Sequence, residues 1–194
     1  MSYWTHTGHK TTVPASANLA TINEVARYCR VDAAAHYDLL QTLFAAATRT
    51  AERETGISFL TQTQQAYYAK FGKIMRLPGG IVQSISSITY YDSANELQTL
   101  ESDYYDGQLS AFPPYLKRAD GYTWPEVNKR DDAVTIEYIA GFGDTSDDVP
   151  ATFRVGVMAL TLAMFDNPGA AGETVIRENT AISRLLNIES ILGV

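Results

Sequence analysis

The sequence is poor in cysteine and in long hydrophobic runs, and each shortage excludes a class of protein. Cys29 is the only cysteine among 194 residues, so neither an intrachain disulfide framework nor a cluster of thiolate metal ligands can form. No run reaches the roughly 18 apolar residues of a membrane-spanning helix, and the N-terminus lacks the basic and apolar regions of a signal peptide. These absences predict a soluble protein with no membrane partner, made and kept in a reducing cytoplasm.

Positive charge is also scarce. The chain has 15 Lys and Arg against 22 Asp and Glu, for a net charge of −7, and its basic residues are scattered. Binding to a nucleic-acid backbone needs clustered Lys or Arg that release counterions. The composition therefore argues against sequence-specific DNA binding, although DNA can pass an acidic surface without adhering to it.

Tyrosine, by contrast, is abundant, with 12 Tyr beside 7 Phe and 2 Trp. A tyrosine joins an apolar ring to a polar tip, which suits wet interfaces as well as ordinary cores. Three doublets, Tyr67-Tyr68, Tyr90-Tyr91 and Tyr104-Tyr105, place one ring on each side of a strand. The outward rings either decorate the subunit's own surface or are covered by a neighbouring subunit, and the sequence leaves both alternatives open.

Two helices are predicted near the N-terminus. Thr21 and Glu24 form a capping box, which starts a short helix that runs to about Arg30. Asp32 is a second N-cap, and the long helix after it ends at Gly56, a residue suited to the left-handed turn that closes a helix. Apolar residues recur at spacings of three and four along one face of this long helix.

Two more helical segments are predicted near the other end of the chain. Asp148 is expected to cap a helix over about 150–166, with Pro150 in its first turn. This helix is apolar almost all round, which predicts that it is covered on more than one side. The last segment, 181–194, is also rich in Ile and Leu.

The middle of the chain is predicted to be antiparallel β structure. Residues 57–71 are rich in Thr, Gln and Tyr and fit one or two exposed strands. Residues 85–91 and 97–100 read as two strands joined by a turn. Residues 133–140 alternate between apolar and polar side chains, which predicts one buried and one wet face. Residues 101–130 are broken by proline and glycine and show little pattern.

These predictions combine into an α+β fold. It is a helical bundle, with two N-terminal helices plus one or two C-terminal helices, and it contains an inserted antiparallel β region. Residues 1–20 form an extended arm that would be disordered in isolation and could lie on a neighbour in an assembly. Residues 21–56 and 149–194 form the helical domain, and residues 57–148 form the inserted β domain.

Candidate catalytic residues are few. His6 and His9 lie in the arm, where a rigid metal pair is not expected. His36 lies early in the long helix beside Asp38 and is better explained as a helix surface residue than as a general base. Cys29 has no adjacent base, and the motifs of a nucleophile elbow or a phosphate-binding loop are missing. A small hydrolase that uses an acidic residue and a histidine remains an alternative function.

The acidic run at residues 144–148 has two interpretations. Three aspartates here could belong to a calcium-binding loop, but the bidentate glutamate that closes such a loop is missing. Helix capping explains the run better. We therefore predict that the protein is not an enzyme and that it has no catalytic, cofactor-binding or metal-binding residues.

Several segments follow one another in a recognisable order. They are Leu77-Pro-Gly-Gly80 with the strand that ends at Tyr91-Asp92, Tyr122-x-Trp124-Pro125, the stretch from Ala133 to Gly141-Phe-Gly143, and Val149-Pro150 leading a helix to Pro168. With the helix after Asp32, they resemble the head–tail connector, or adaptor, proteins of long-tailed bacteriophages and gene-transfer particles. The resemblance covers about residues 22–168.

This resemblance implies a structural protein of the virion neck, made in the host cytoplasm. Members of the family form a ring of about a dozen identical subunits, which binds the portal protein above and a tail-side neck protein (stopper or tail terminator) below. The genome passes through the ring without sequence-specific binding. Another neck component, a stopper or tail terminator itself, remains an alternative, although such proteins would be mainly β.

The helices offer more apolar surface than one small core consumes, and this predicts two interfaces. The predicted subunit interface of the ring comprises Leu40, Phe44, Val155, Met158 and Leu162. The predicted portal-docking interface comprises Leu185, Leu186, Ile188, Ile191 and Leu192. The alternative for these last five is a terminal helix folded on its own core.

Overall fold

The computed structural model describes residues 6–169, 174–176 and 179–186, and the chain divides into two compact units. Residues 1–16 and 61–142 form the sheet unit, and residues 17–60 and 143–194 form the helical unit. Both helices and antiparallel sheets are present, which confirms the α+β class. The divisions lie a few residues from the boundaries that the sequence predicted.

The two N-terminal helices begin and end where their capping residues predict. Helix α1 spans Ile22–Cys29, and helix α2 spans Ala33–Thr55. The Thr21 backbone N–H donates to Glu24 Oε2 at 2.7 Å, and the Glu24 N–H donates to the Thr21 hydroxyl at 3.3 Å, so the capping box is confirmed. Asp32 Oδ1 accepts from Ala34 N at 3.0 Å. Gly56, at φ +68°, ends α2 in the left-handed conformation.

Helix α3 spans Ala151–Asp166, and helix α4 spans Thr180–Leu186. The predicted cap of α3 is wrong in detail. Asp148 instead closes a 3₁₀ turn at Ser146–Asp148, where its carboxylate accepts from Thr145 N at 2.9 Å. The N-cap position of α3 belongs to Pro150, whose side chain offers no acceptor. Proline sits well there because the first helical N–H groups have no partner within the helix.

The core of the helical unit lies where α2 meets α3. The Phe59 and Phe153 rings pack with centroids 4.9 Å apart, and the His36 ring packs edge-on against Phe165 at 5.4 Å. His36 itself departs from helical geometry (φ −126°, ψ 16°) and kinks the first turns of α2. The start of α2 therefore meets the end of α3, and the two helices run antiparallel.

The sheet unit contains a five-stranded and a three-stranded sheet, and all their strand pairs are antiparallel. The five-stranded order is β1-β2-β8-β4-β5, and the three-stranded order is β3-β7-β6. The strands are β1 (Gly8–Val13), β2 (Gln62–Tyr68), β3 (Ile74–Arg76), β4 (Val82–Tyr91), β5 (Leu97–Thr99), β6 (Tyr105–Gln108), β7 (Tyr115–Arg118) and β8 (Val134–Ala140).

Two predictions for the larger sheet need correction. The N-terminal arm does not stand free within the described residues, because β1 pairs with β2 along the edge of the chain's own sheet. Strand β2 is not an exposed strand, because it lies between β1 and β8 and buries every second side chain. The prediction for β8 is confirmed, since Val134, Ile136 and Tyr138 are buried while Thr135 and Glu137 are half-exposed.

The smaller sheet was missed by the sequence analysis. Its strands have three or four residues each, too short for an alternating pattern to stand out. Met75 and Leu116 from this sheet are buried in one core with Ile88, Ile136 and Tyr138 of the larger sheet. Burial in this shared core, rather than local propensity, therefore holds these strands in place.

A polar contact inside that core explains the Leu77-Pro-Gly-Gly80 turn. The Tyr138 hydroxyl donates to Gln64 Oε1 at 3.2 Å, and both side chains are buried. Gly79 lies over this pair at φ +94°, and a Cβ atom on it would lie 2.6 Å from Gln64 Oε1. Only glycine fits both the conformation and the space. Burial raises the pKa of the Tyr138 hydroxyl, which stays protonated as a donor.

Candidate assembly surfaces

Helix α3 packs against α1, α2 and α4 of its own chain, but one strip of its surface stays partly exposed. Phe153, Val157 and Leu160 are buried, whereas Val155, Met158 and Leu162 are half-exposed. These three half-exposed residues are spaced by three and four positions along the helix, so they share one face. The stretch from 155 to 165 contains no charged residue. The predicted burial of α3 on more than one side is confirmed by these contacts, and a partly exposed apolar strip remains beside them. We call this strip the α3 outer face (Val155, Met158, Leu162).

Two of the five predicted subunit-interface residues lie elsewhere. Leu40 is 0% exposed and Phe44 is 3% exposed, because the inner face of α2 packs into the core of the helical unit. They have almost no surface left for a second copy. The sequence analysis selected them because an apolar face at helical spacing looks the same whether an intrachain or an interchain partner covers it.

A second apolar strip lies on the flank of α2. Leu39 is 50% exposed, and Leu43 and Ala46 are half-exposed. Their spacing of four and three places them on one side of the helix. We call this strip the α2 flank. The sequence analysis overlooked Leu39, although its position one residue before the buried Leu40 shows that it must point away from the core centre.

The predicted portal-docking residues fall into two groups. Leu186 is buried and Leu185 half-buried, since α4 packs against α3 at Gly156. Ile188, Ile191 and Leu192 lie outside the described residues. For Leu186 the structure agrees with the alternative reading, in which the start of this segment folds on its own core.

An open groove of about 210 Å³ lies between α1 and α3, next to the α3 outer face. Its apolar lining comprises Leu19, Ala20, Ala151, Val155 and Met158, and its charged lining comprises Glu24 and Arg154.

The two charges of this groove differ in how well they are paired. The Glu24 carboxylate is occupied by the capping box, and the hydrogen bond from the Thr21 backbone lowers its pKa. Arg154 Nη1 lies 3.3 Å from Asp147 Oδ1, but the Asp147 side chain is 90% exposed. The buried Nε of Arg154 has no hydrogen-bond partner among the described residues. The positive charge of Arg154 also contributes to lowering the pKa of Glu24, so the two charges of the groove partly compensate each other.

The cationic residues divide sharply between the two units. All the lysines lie in the sheet unit, and the helical unit carries arginine instead. Arginine is enriched and lysine depleted in protein interfaces, because guanidinium is less strongly hydrated and binds in a fixed geometry. The lysines are Lys10, Lys70, Lys73, Lys117 and Lys129.

The outward rings of the tyrosine doublets find partners within their own chain. The Lys10 ammonium lies 5.7 Å from the centre of the Tyr67 ring. The Arg130 guanidinium lies 3.8 Å from the centre of the Tyr91 ring and is itself paired with Asp132. The third doublet does not flank a strand as predicted, because Tyr104 ends a 3₁₀ turn and Tyr105 begins β6. Both rings pack against the core of the sheet unit, and the Tyr104 ring also contacts Tyr122 at 4.8 Å. These contacts favour the first alternative, in which the rings belong to the subunit's own surface.

The Trp124-Pro125 motif also has a role inside the sheet unit. The Trp124 ring stacks on Phe71, with ring centroids 4.6 Å apart and planes 9° from parallel. Its indole N–H donates to the Gly72 carbonyl at 3.1 Å. The motif therefore anchors the irregular stretch before β8 to the loop after β2.

The histidines do not assemble a reactive site among the described residues. The His6 and His9 rings contact each other edge-on with centroids 6.0 Å apart, and the His36 ring packs on Phe165. Within residues 6–169, 174–176 and 179–186, no group of three His, Cys, Asp or Glu side chains could hold a metal ion. None of the described helices is long and apolar enough to cross a membrane.

Three solved structures share the fold over 92% of this chain. A chain from the neck of an empty GTA particle computed with C6 symmetry aligns with a TM-score of 0.74, 18% identity and 94% of its own length. A chain from the virion of a native gene transfer agent (GTA) particle aligns at 0.73, 16% and 92%. A chain from the neck of a native GTA particle computed with C12 symmetry aligns at 0.67, 21% and 93%. No protein-family model and no curated protein matches this chain.

Proposed function

We propose that this protein is a structural component of the neck of a phage-like particle, and specifically its head–tail connector (adaptor). Copies of the chain form a ring between the portal protein and a tail-side neck protein, and DNA passes through the ring. The protein works by assembly and not by catalysis. The observation that carries the proposal is the α3 outer face, an uncharged apolar strip that the described part of its own subunit leaves half-exposed.

A closed ring needs two different surfaces on each subunit, because each copy meets one neighbour on each side. The helical unit offers such a pair in the α3 outer face and the α2 flank. A rotation by one subunit of a twelve-membered ring turns a helix direction by at most about 30°. Helix α2 of a neighbour would therefore run antiparallel to α3, as α2 does within one chain.

The likeness of the fold to chains from particle necks with cyclic symmetry supports the same proposal. Two of these necks were computed with C6 and with C12 symmetry. The net charge of −7 repeated around a ring makes the channel region acidic, so DNA slides through it instead of binding. In this proposal the segment with Ile188, Ile191 and Leu192 docks on the portal.

The experiment is to mix the purified chain with the portal protein of its particle and to measure the mass of the product. We expect a ring of subunits bound to the portal, seen by electron microscopy and by analytical ultracentrifugation. A chain that stays monomeric in the presence of portal contradicts the proposal. A truncation after Leu186, which keeps the packed part of α4, should lose portal attachment and remain folded by circular dichroism.

A further inference from the structure

The two apolar strips of the helical unit have matching residue spacings. The three residues of the α2 flank, starting at Leu39, follow one another at intervals of four and then three residues. The three residues of the α3 outer face show the same intervals when they are read backwards from Leu162. Since a helix rises by about 1.5 Å per residue, the two strips match residue for residue only when the helices run in opposite directions.

The proposed ring requires the same opposite directions. Helices α2 and α3 run antiparallel within one chain, and a neighbour in a twelve-membered ring is rotated by only about 30°. The ring geometry and the residue spacing therefore agree on one arrangement. The residues that face each other in it are Leu39 and Leu162, Leu43 and Met158, and Ala46 and Val155.

Charged residues of opposite sign adjoin the two strips. Arg49 and Arg53 follow the α2 flank, lie about one helical turn apart and are both exposed. Asp144 and Asp147 precede α3 and are exposed, and the Asp147 side chain is 90% exposed. Arg154 of the same chain lies 3.3 Å from Asp147 Oδ1, which occupies only one oxygen of this largely exposed carboxylate.

The antiparallel arrangement brings these charges together. Arg53 lies seven residues beyond Ala46, and Asp147 lies eight residues before Val155. Because Ala46 faces Val155, the arginines of one copy reach the same end of the contact as the aspartates of the next. Two cations then lie beside two carboxylates, which is a complementary pairing of charge.

The other end of the contact sets no like charges directly opposite each other. Asp166 is exposed at the end of α3, and the residue that faces it in this register is Ala35, which is also exposed. The next acidic residue before Ala35 is Asp32, about one turn further along. Its carboxylate is engaged as the cap of α2, where it accepts from Ala34 N.

We propose that α2 of each copy packs on α3 of the next copy in this register, and that Arg49 and Arg53 pair there with Asp144 and Asp147. This assignment rests on the function proposed above and names the contacts of its ring. The apolar pairs supply the buried area, and the ion pairs select the direction and the register, since charges contribute to specificity more than to affinity. Arginine suits this place because it binds carboxylates in a fixed geometry.

The test is disulfide formation between single-cysteine copies in the assembled ring. In a Cys29→Ser background, Leu43→Cys chains are mixed with Met158→Cys chains, assembled on the portal and oxidised with copper phenanthroline. Covalent dimers should form in the mixture and in neither variant alone, because the contact joins two different faces. Circular dichroism and the mass of the ring check that each variant folds and assembles.

The matched control is a mixture of Leu39→Cys and Val155→Cys chains. In the proposed register these positions lie seven residues apart along the contact, about 10 Å, whereas the Cβ atoms of a disulfide lie only about 3.8 Å apart. A parallel packing would bring the same two positions together. Dimers in this control, or none in the Leu43 and Met158 mixture, overturn the register.

The ionic part has a separate test by charge reversal. A chain with Arg49→Glu and Arg53→Glu should need about two- to tenfold more protein for half-maximal assembly on the portal, as expected for two exposed ion pairs. A chain with Asp144→Arg and Asp147→Arg should be weakened in the same way. An equimolar mixture of the two should recover, because alternating copies restore opposite charges at every contact. Normal assembly of either variant alone, or no recovery in the mixture, overturns the ion pairing.

These outcomes separate the register from the function. If a ring forms on the portal but the dimers appear in the control mixture, the register is wrong and the connector function stands. If the unmodified chain forms no ring on the portal, the connector function is wrong, and the register falls with it.

Discussion

The sheet unit and the helical unit satisfy their side chains in different ways. In the sheet unit, two small sheets share one core, and the outward rings of Tyr67 and Tyr91 are contacted by Lys10 and Arg130 of the same chain. In the helical unit, side chains cap the starts of α1 and α2, but the α3 outer face and the α2 flank keep half-exposed apolar strips. The sheet unit exposes single apolar side chains on separate segments (Val13, Leu97 and Phe112), whereas the half-exposed apolar residues of the helical unit line up along one face of a helix, which suits packing against another helix.

The largest predicted loss of stability is that of a variant at Phe44, and it tests whether this residue belongs to the core of the helical unit or to an interface. The change Phe44→Ala should lower the free energy of unfolding by about 3–5 kcal/mol, because the ring is 3% exposed in the core of the helical unit. Urea denaturation measures this. If the variant keeps its stability and loses assembly instead, Phe44 is an interface residue after all and the division between core and outer face is wrong.

The next effect concerns the sheet unit. Gly79→Ala should cost about 2–3 kcal/mol, since the residue has φ +94° and the new Cβ would lie 2.6 Å from the buried Gln64 Oε1. Gly121→Ala is the matched control. It has φ +86° with no atom within 4 Å, so it should lose only the backbone term of about 1 kcal/mol. Equal losses in the two variants would show that the Gln64 contact does not matter.

A third change should leave stability nearly intact and remove assembly. Leu162→Asp should change the free energy of unfolding by about 1 kcal/mol or less, because the side chain is half-exposed. It should nevertheless abolish ring formation on the portal, since a carboxylate without a partner would be buried against the neighbour. The control is Thr99→Asp, on exposed strand β5 of the sheet unit, which should assemble normally. Assembly by Leu162→Asp would exclude this face as an interface.

A smaller effect depends on pH. Partial burial lowers the pKa of His9 below its ordinary value of 6.5, and the neighbouring His6 lowers it further. The folded chain thus favours neutral His9, so its contribution to stability is present above about pH 6.5 and is lost as the pH falls through the folded value. Hydrogen exchange of the β1 amides, corrected for intrinsic rates, should accelerate on acidification. In His9→Gln that acceleration should be reduced, and an unchanged response would rule out His9 as its cause.

The last prediction is that chemical modification of the lysines has no effect on assembly. Acylation of the lysines modifies the sheet unit and leaves the helical unit unchanged, because the helical unit contains no lysine. Ring formation on the portal should therefore survive complete acylation, as measured by the mass of the assembled product. Loss of assembly would mean that the sheet unit supplies a lysine to the interface.

Local signals in the sequence predicted the helices and the main strands well. Thr21 with Glu24, Asp32 and Gly56 mark helix ends through hydrogen bonds to nearby backbone atoms, so the information lies within a few residues. Strands β3, β6 and β7 were missed because they are too short to show an alternating pattern, and β3 also has its partner β7 far along the chain. Strand β1 was read as a free arm for the same reason, since its partner β2 lies more than fifty residues away.

The candidate interface could be predicted only in part. Val155, Met158 and Leu162 lie on a partly exposed face of α3, as its surplus of apolar positions predicted, and their place in a subunit interface remains a proposal. Leu40 and Phe44 were misplaced, and Leu39 was overlooked, because helical periodicity gives the direction of a side chain but not the identity of the surface that covers it. That identity depends on how the helices pack, which the structure supplies.

The most direct test of the central claim is the reactivity of a single thiol on the α3 outer face. In a Cys29→Ser background, Leu162→Cys should react rapidly with a maleimide in the free, tail-truncated chain. In the assembled ring of the full chain it should be strongly protected, while Thr99→Cys in the sheet unit reacts at the same rate in both. Equal reactivity of position 162 in the free and assembled states would contradict the account.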